Sequence, residues 1–304
     1  MLGGKLNRPT IISLSTIPPR FDLLKPTLLS LLSQRLKAEE IRLYIPHKYR
    51  RFPDWDGRLP EVPAGIKIVR CEEDLGPATK VLPAARDLKG RDVDILFCDD
   101  DKIYDANWHQ RFKTEAACKP GHCIIEVGET FPDIADAGRS ADRLPRSRWK
   151  PKDYKYRMKR VASLFLHKPD RSMPGYADQI SGFAGVLVHP EWFDELFYDI
   201  PDIMWTVDDP WISGHLERRG IPIWVIGQNC RRAEGKGSGV SALLNHVEDG
   251  QGRVHADLLV IDYFRQHYGI WKKTEKIDEK AALRTTSMRE MMRRRKAELG
   301  LIDS

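Results

Sequence analysis

The chain reads as an α/β protein with a mostly parallel central sheet flanked by helices. Two patterns and one property of the totals predict this. Short β-rich runs alternate with runs of helical period through the first half of the sequence. Parallel neighbours need crossover connections, and these put helices on the faces of the sheet. The 304 residues, 41% hydrophobic and 31% charged, supply a core for one large domain or one domain with additions.

The first strand is "TIISLS" (10–15), stopped by the loop "TIPPRF". In "DLLKPTLLSLLSQRL", Leu24, Leu28, Leu31 and Leu32 fall at helical spacing, and Asp22 is placed to cap the start. "IRLYIP" (41–46) and "IKIVRC" (66–71) are further strands. "ATKVLPAARDL" is a short helix that tolerates Pro83 only in its first turn or as a kink. "DILFC" (94–98) is a core strand, followed by the helix "ANWHQRFKTEAACK" and the strand "HCIIEVG". "QISGFAGVLVHP" (179–190) restores strand character, with Gly182 and Gly185 where a backbone can approach a ligand closely. "DDPWISGHLERRG" is a helix that opens on two aspartates and closes on Gly220 as its C-cap. "IPIWVI" is the next strand, "RRAEGKGSGVSALLNHVEDGQG" a Gly-rich connection, and "ADLLVIDYFRQHYG" an amphipathic helix. There is no internal repeat.

The net charge of +6 is unevenly spread. Residues 139–171 hold twelve Lys/Arg against three Asp, and residues 272–304 hold ten against six Asp/Glu, so the remainder is acidic. Local basic segments either face an anion (phosphate, nucleic acid or anionic lipid) or stay solvated. A domain at 1–271 with a basic lid or acceptor insertion at about 130–178, followed by a basic helical tail at 272–304, accommodates both. In the tail, Met288, Met291 and Met292 lie on or near one side, suited to a membrane face or to a solvated helix.

No apolar run approaches the roughly 20 residues that cross a bilayer, and the N-terminus carries no signal-peptide pattern. The five cysteines are odd in number and form no C-x-x-C pair, which fits buried thiols in a reducing cytosol. The expected location is cytoplasmic, with peripheral contact to the inner face of an anionic membrane as the alternative.

Three carboxylates, Asp99, Asp100 and Asp101, follow the strand "DILFC" directly. Like charges this close repel, so the cluster is either a solvated turn or the seat of a cation. Hard divalent cations take oxygen ligands, and Asp99 and Asp101 can reach one ion from a turn at a strand end. Strand carboxyl ends are where α/β sheets bind ligands.

With these residues the sequence resembles the GT-A class of nucleotide-sugar-dependent glycosyltransferases, especially its family-two-like members. "IISLSTIPPRF" is similar to the first strand and loop of that class, and "EEDLGPATKVLPA" to an acidic-Gly-Pro-x-x-Lys segment found in part of it. "DILFCDDD" resembles the D-x-D strand, "ISGFAGVLVHPEWFD" the Gly-containing strand beside the donor sugar, and "TVDDPWISGHLERRGIPIWVI" the acidic pair that opens a helix. The set spans roughly residues 10–227. A single GT-A (Rossmann-like) domain is the fold it implies.

What the resemblance implies for the site is specific. Thr16, Pro18, Arg20, Asp74, Lys80, Asp99, Asp100, Gly182 and Phe183 would surround a nucleotide-diphosphate sugar, UDP-linked by expectation. Mn²⁺ or Mg²⁺ would sit at Asp99 and Asp101, with His246 or His255 as a further ligand or simply as surface residues. Asp209 would be the base that deprotonates an acceptor hydroxyl in an inverting displacement, with Asp208 beside it where a Glu is more usual. The plain alternative for that pair is helix capping. Trp211 stands where relatives often carry an aspartate. The acceptor expected is a glycan or lipid-linked glycan in polysaccharide biosynthesis. Nucleic acid ranks low, because "RWKPKDYKYRMKR" comes with no RNA-binding module signature. The rival functions are a nucleotidyltransferase acting on sugar phosphates and a non-catalytic polyanion- or carbohydrate-binding protein.

Overall fold

The computed structural model describes residues 8–149, 154–162, 173–227, 233–241, 253–281 and 283–302. Strand β1 (Thr10–Ser15) leads through a 3-10 turn (Pro18–Leu23) to helix α1 (Lys25–Leu32), then to β2 (Glu40–Pro46) and β3 (Ile66–Cys71). A second 3-10 turn (Gly76–Lys80) runs into α2 (Leu82–Asp87), and β4 (Asp94–Phe97) follows. The next pieces are β5 (Lys102–Ile103), α3 (Trp108–Cys118), β6 (Cys123–Ile125), β7 (Gly128–Glu129) and α4 (Tyr154–Ala162). Then come β8 (Gly175–Ala177), β9 (Gln179–Ile180), β10 (Val186–Val188), α5 (Asp209–Arg218), β11 (Ile223–Val225) and β12 (Ala233–Glu234). Helices α6 (Arg253–Tyr268) and α7 (Thr286–Glu298) end the described chain.

Eight strands form one sheet in the order β3-β2-β1-β4-β10-β6-β11-β8. The pairs β3/β2, β2/β1, β1/β4 and β6/β11 are parallel, while β10 runs against β4 and β6, and β8 against β11. Six of the eight strands therefore point the same way. This is the mostly parallel, helix-flanked Rossmann-like α/β sheet expected. Strand order reverses between β1 and β4, and at such a switch point the loops part to leave a crevice.

Alternation along the strands divides the core into two layers. Ile11, Ile95, Phe97, Ile125 and Val225 pack with α2 and α5 on one face. Ile12, Leu14, Leu96, Ile124 and Trp224 pack with α1 and α3 on the other. A third cluster joins Trp211 of α5 to Val260, Ile261 and Phe264 of α6, Trp271, and Met288 and Met291 of α7.

Three local expectations are corrected. Asp22 does not cap α1: it lies in the preceding 3-10 turn and pairs at the surface with Arg58 over 3.0 Å, while Leu24 holds the cap position without a side-chain bond. The stretch 179–190 is not one strand, because a 3-10 turn at Gly182–Ala184 separates β9 from β10. Gly185 closes that turn at φ +102, and a Cβ there would stand 2.6 Å from the Trp108 indole. Met288, Met291 and Met292 are buried against the body of the protein, so neither solvent nor a membrane meets that side of α7.

Part of the insertion's positive charge is satisfied internally. Arg139 pairs with Asp178 at 2.6 Å, Arg146 with Asp136 and Asp278, and Arg148 with Asp278 at 2.9 Å. On α4, Tyr154, Met158 and Val161 are exposed. Cys98 and Cys123 are buried thiols, Cys71 is half-buried and Cys118 exposed; Cys230 lies outside the described residues.

Candidate active site at the strand ends

A cleft of about 1030 Å³ opens where β1 and β4 end. Its walls come from the loop after β1, the 76–80 turn, the acidic corner after β4, the 182–184 turn and the first turns of α5, α6 and α7. Ser13 in β1 donates to the Lys80 carbonyl over 2.6 Å, which fixes the 76–80 turn to the sheet. Tyr104 does the same for the corner: Asp99 N donates to its hydroxyl (3.1 Å), and the hydroxyl reaches the Phe183 carbonyl (3.2 Å). Rigid elements thus aim the loop residues.

The three carboxylates of the corner have different partners. Asp99 meets the Lys80 ammonium at 2.7 Å. Asp100 accepts from Thr16 Oγ1 and from Arg20 Nη1, each at 2.6 Å, and so clamps the loop after β1. Asp101 Oδ1 is buried without a hydrogen-bond partner, with Lys102 Nζ 3.4 Å away. Strand β12 covers this corner by pairing with β5, and Gly235 N donates to the Asp101 carbonyl over 2.7 Å.

Lys80 is the hinge of the site's charge. Its ammonium lies 2.7 Å from Asp99 and 2.8 Å from Asp208 Oδ2, and it is almost wholly buried. Burial alone would favour the neutral amine, but Asp208, Asp99 and Asp209 outweigh it and raise the pKa. Burial also pushes Asp99 up, yet Lys80, Lys102 and Arg20 bring its carboxyl below the usual range. For Asp100 burial prevails over Arg20 and Thr16, and the pKa rises.

Asp208 and Asp209 stand at the N-terminus of α5, and neither makes a side-chain cap bond. The capping alternative is therefore not what these carboxylates do. Asp209 Oδ1 accepts from Gly182 N over 2.8 Å, and Arg253 Nη2 stands 3.9 Å from Oδ2. Burial and the neighbouring Asp208 charge carry the Asp209 carboxyl up to about 7 against the pull of Lys80 and Arg253. A carboxyl with that value is poised to take a proton near neutral pH. Gly182 lets the backbone come this close: a Cβ there would fall 2.7 Å from Lys80 Nζ and 3.1 Å from Asp209 Oδ1.

At the other end, Asp74 accepts from Arg50 N (2.7 Å) and Gly76 N (3.0 Å), and burial raises its pKa. Tyr49, Phe52 and Trp205 give this end aromatic walls, with Trp205 Nε1 donating to the Asp74 carbonyl over 2.8 Å.

Of the residues expected from the sequence, Thr16, Arg20, Asp74, Lys80, Asp99, Asp100, Asp101, Phe183, Asp208, Asp209 and His255 all line the cleft. Gly182 sits one residue inside its wall. Pro18 does not line it; it borders a separate shallow depression with Phe52 and Trp55. His246 lies outside the described residues. His255 does not join Asp99 and Asp101: among the described residues no three His, Cys, Asp or Glu side chains gather as a metal-binding group. Trp211 is a core residue, donating to the Phe197 carbonyl over 3.0 Å. Tyr49, Tyr104, Trp205, Arg253 and Arg284 belong to the site and carry no local motif that would have marked them.

The corner nevertheless suits a hard divalent ion. Its donor set is carboxylate oxygen, one buried oxygen of Asp101 is left without a hydrogen bond, and Mg²⁺-type sites commonly use one or two carboxylates with the remaining ligands from phosphate and water.

No family model matches the sequence, and neither does any curated protein. Among solved structures, a crystal structure of GalNAc-T7 with UDP, GalNAc and Mn²⁺ aligns with a TM-score of 0.45 and 12% identity. The alignment covers 86% of this chain and 49% of the other, so this chain spans about half of that neighbour's length.

Proposed function

We propose that the chain is a glycosyltransferase that moves a sugar from a nucleotide diphosphate, UDP in the first instance, to a hydroxyl of a glycan or lipid-linked glycan. One observation carries this: a single buried ammonium, Lys80, joins the acidic corner after β4 to the Asp208–Asp209 pair, in one cleft. A sugar donor needs a charged seat for its diphosphate and a base for the acceptor within a few ångströms of each other, and these elements supply both.

In the reaction the acceptor oxygen bonds to the anomeric carbon as the bond from that carbon to the diphosphate oxygen breaks. The acceptor proton passes to Asp209, whose raised pKa suits it to hold one. Attack opposite the leaving group inverts the anomeric centre. Asp99 and Asp101 would hold Mn²⁺ or Mg²⁺, which when bound neutralises charge on the diphosphate. Lys80 keeps a positive charge beside the departing group, and Asp208 keeps Lys80 in place. Asp74 and the aromatic walls at the far end suit the nucleoside. Among the described residues no helix is long and apolar enough to cross a membrane. We place the enzyme at the cytoplasmic side, where nucleotide sugars are the donors for polysaccharide assembly.

Melting the protein with UDP, GDP or CDP, each with and without Mn²⁺, tests the donor, since a ligand that binds the native state raises the midpoint. Transfer from a panel of nucleotide sugars tests the reaction. Turnover that survives both Asp101→Ala and Asp209→Ala would remove the basis of the assignment.

A further inference from the structure

Beyond Asp209 the cleft continues into a second lobe, walled by the first turns of α6 and α7. Arg253 opens this lobe. Its guanidinium makes no hydrogen bond to any described residue, and its one ion pair is the 3.9 Å approach to Asp209 Oδ2. Five donors on a largely covered side chain are thus left facing the cleft. Arg284 lines the same lobe, packed 5.3 Å from the ring centres of both Phe183 and Trp149 and 3.4 Å from Glu129 Oε1.

The start of α7, a helix of 13 residues, adds a positive dipole end. Thr285 caps it by accepting from Met288 N over 3.2 Å. Ser287 donates to Asp257 Oδ2 over 2.6 Å and fixes that end of α7 to α6. The acids nearby are already engaged. Asp257 takes the Ser287 bond, Glu290 is held by Arg293 (2.8 Å) and Arg294 (3.0 Å), and Glu129 faces Arg284. Arg253 is left as the uncommitted charge.

The orientation of the base says what passes this point. Asp209 Oδ1 is occupied by Gly182 N, so the oxygen left to take a proton is Oδ2, and Oδ2 is the one turned toward Arg253. Whatever offers its hydroxyl to Asp209 must run past that guanidinium. Lys80 and the acidic corner lie on the opposite side, toward the donor.

We propose that the acceptor carries an oxyanion, a phosphate or a carboxylate close to the hydroxyl that is glycosylated, and that Arg253 receives it with help from Arg284 and the start of α7. An oxyanion matches the two-pronged guanidinium fork, and it would complete a charge that the protein leaves open. The inference rests on Asp209 being the base of the proposed transferase.

The test uses the full chain saturated with UDP and Mn²⁺, titrated by calorimetry with methyl glucoside, methyl glucuronide and glucose 6-phosphate. The anionic sugars should bind at least about 10-fold tighter than the neutral one, as a charge-assisted bidentate contact provides. Whichever anion wins distinguishes carboxylate from phosphate. The preference should fall toward unity in R253Q and persist in part in R253K; R284Q serves the same comparison if R253Q does not fold. Equal binding of neutral and anionic sugars with UDP in place overturns the proposal and leaves the transferase assignment standing, as does a preference unchanged in R253Q. If UDP itself does not bind, the donor assignment falls, and inorganic phosphate titrated into wild type and R253Q judges the anion site alone, with equal affinities sinking it.

Discussion

The backbone N–H of Gly182 donates to Asp209 Oδ1 over 2.8 Å, at a point where any Cβ would press on Lys80 Nζ at 2.7 Å. One residue without a side chain therefore sets the distance between the base, the ammonium and the turn beside the cleft. Lys80 cannot retreat freely, because Asp99 and Asp208 both hold it. Gly182→Ala should displace Asp209 by a few tenths of an ångström and reduce kcat by about 10–100-fold, since small misplacements of reacting groups are costly. Far-UV circular dichroism and the melting midpoint should change little. A Gly182→Ala enzyme with wild-type kcat would show that this contact does not position the base.

Asp209 also makes a prediction about pH. Only its deprotonated form accepts a proton, so log kcat/KM should climb with unit slope and level off above about 7, the value that burial and Asp208 produce. Stability runs the other way. The folded-state pKa is raised above the unfolded value of about 3.9, so the stabilising share of this group is complete below that pH and is lost as pH rises through about 7. Asp209→Asn keeps an acceptor for Gly182 N and removes the charge. It should lose about 10²–10⁴-fold in rate and melt higher than wild type at alkaline pH, with the difference vanishing in acid. A pH-independent gap between the two melting curves would contradict a buried, raised carboxyl.

Lys80 and Asp208 should behave as a coupled pair. Lys80→Met leaves two buried carboxylates without their counter-charge, which costs about 3–5 kcal/mol by analogy with other broken buried pairs. Asp208→Asn removes one of those orphans. In urea unfolding the double variant should recover about 0.5–3 kcal/mol relative to the sum of the single changes. Strict additivity would mean that the 2.8 Å approach carries no energy.

The three aspartates of the corner should separate functionally. Asp101→Asn and Asp99→Asn should raise the Mn²⁺ or Mg²⁺ concentration for half-maximal activity, and chelation by EDTA should abolish wild-type turnover. Asp100 has both oxygens committed to Thr16 and Arg20. Asp100→Asn should therefore loosen the loop after β1 and raise KM for the nucleotide sugar while leaving the metal requirement intact. Identical metal dependence in all three variants would dissolve this division of labour.

The strands that aim the site were legible because their runs are short, apolar and separated by helix-period segments. The end of α5 was legible too: Gly220 takes φ +71, as a helix-terminating glycine can. Where local pattern misled, a distant contact decided. "QISGFAGVLVHP" has strand composition throughout, but the Trp108 indole packed against Gly185 belongs to a turn that brings Gly182 to Asp209. Pro18 shares a loop with Thr16 and Arg20, yet that loop folds into a 3-10 turn that carries it away from the cleft. Arg253 had no signal at all, since its importance comes from Asp209, far away in the chain. The partnership of Lys80 with Asp208 is likewise a product of tertiary folding, although each residue was picked out separately.

The C-terminal helix offers the last test, because its composition and its packing point in different directions. Arg293, Arg294, Arg295 and Lys296 make it basic, and on sequence alone it reads as a tail after residue 271. Its other side is built differently. Met288, Met291 and Met292 are buried, and Met288 and Met291 join Phe264 and Trp271 in the third core cluster. Removing buried methionine side chains costs about 2–5 kcal/mol each, a large share of the 5–15 kcal/mol that holds a typical domain together. The helix also brings Thr285, Ser287 and Glu290 to the cleft. We therefore expect a chain ending at residue 271 to expose an apolar face, bind a hydrophobic dye and lose UDP-dependent stabilisation. Met288→Ala with Met291→Ala in the full chain should lower the melting midpoint by several degrees at least. A 1–271 protein that melts as sharply and as high as the full chain would establish the tail as a detachable appendage and remove α7 from the acceptor lobe.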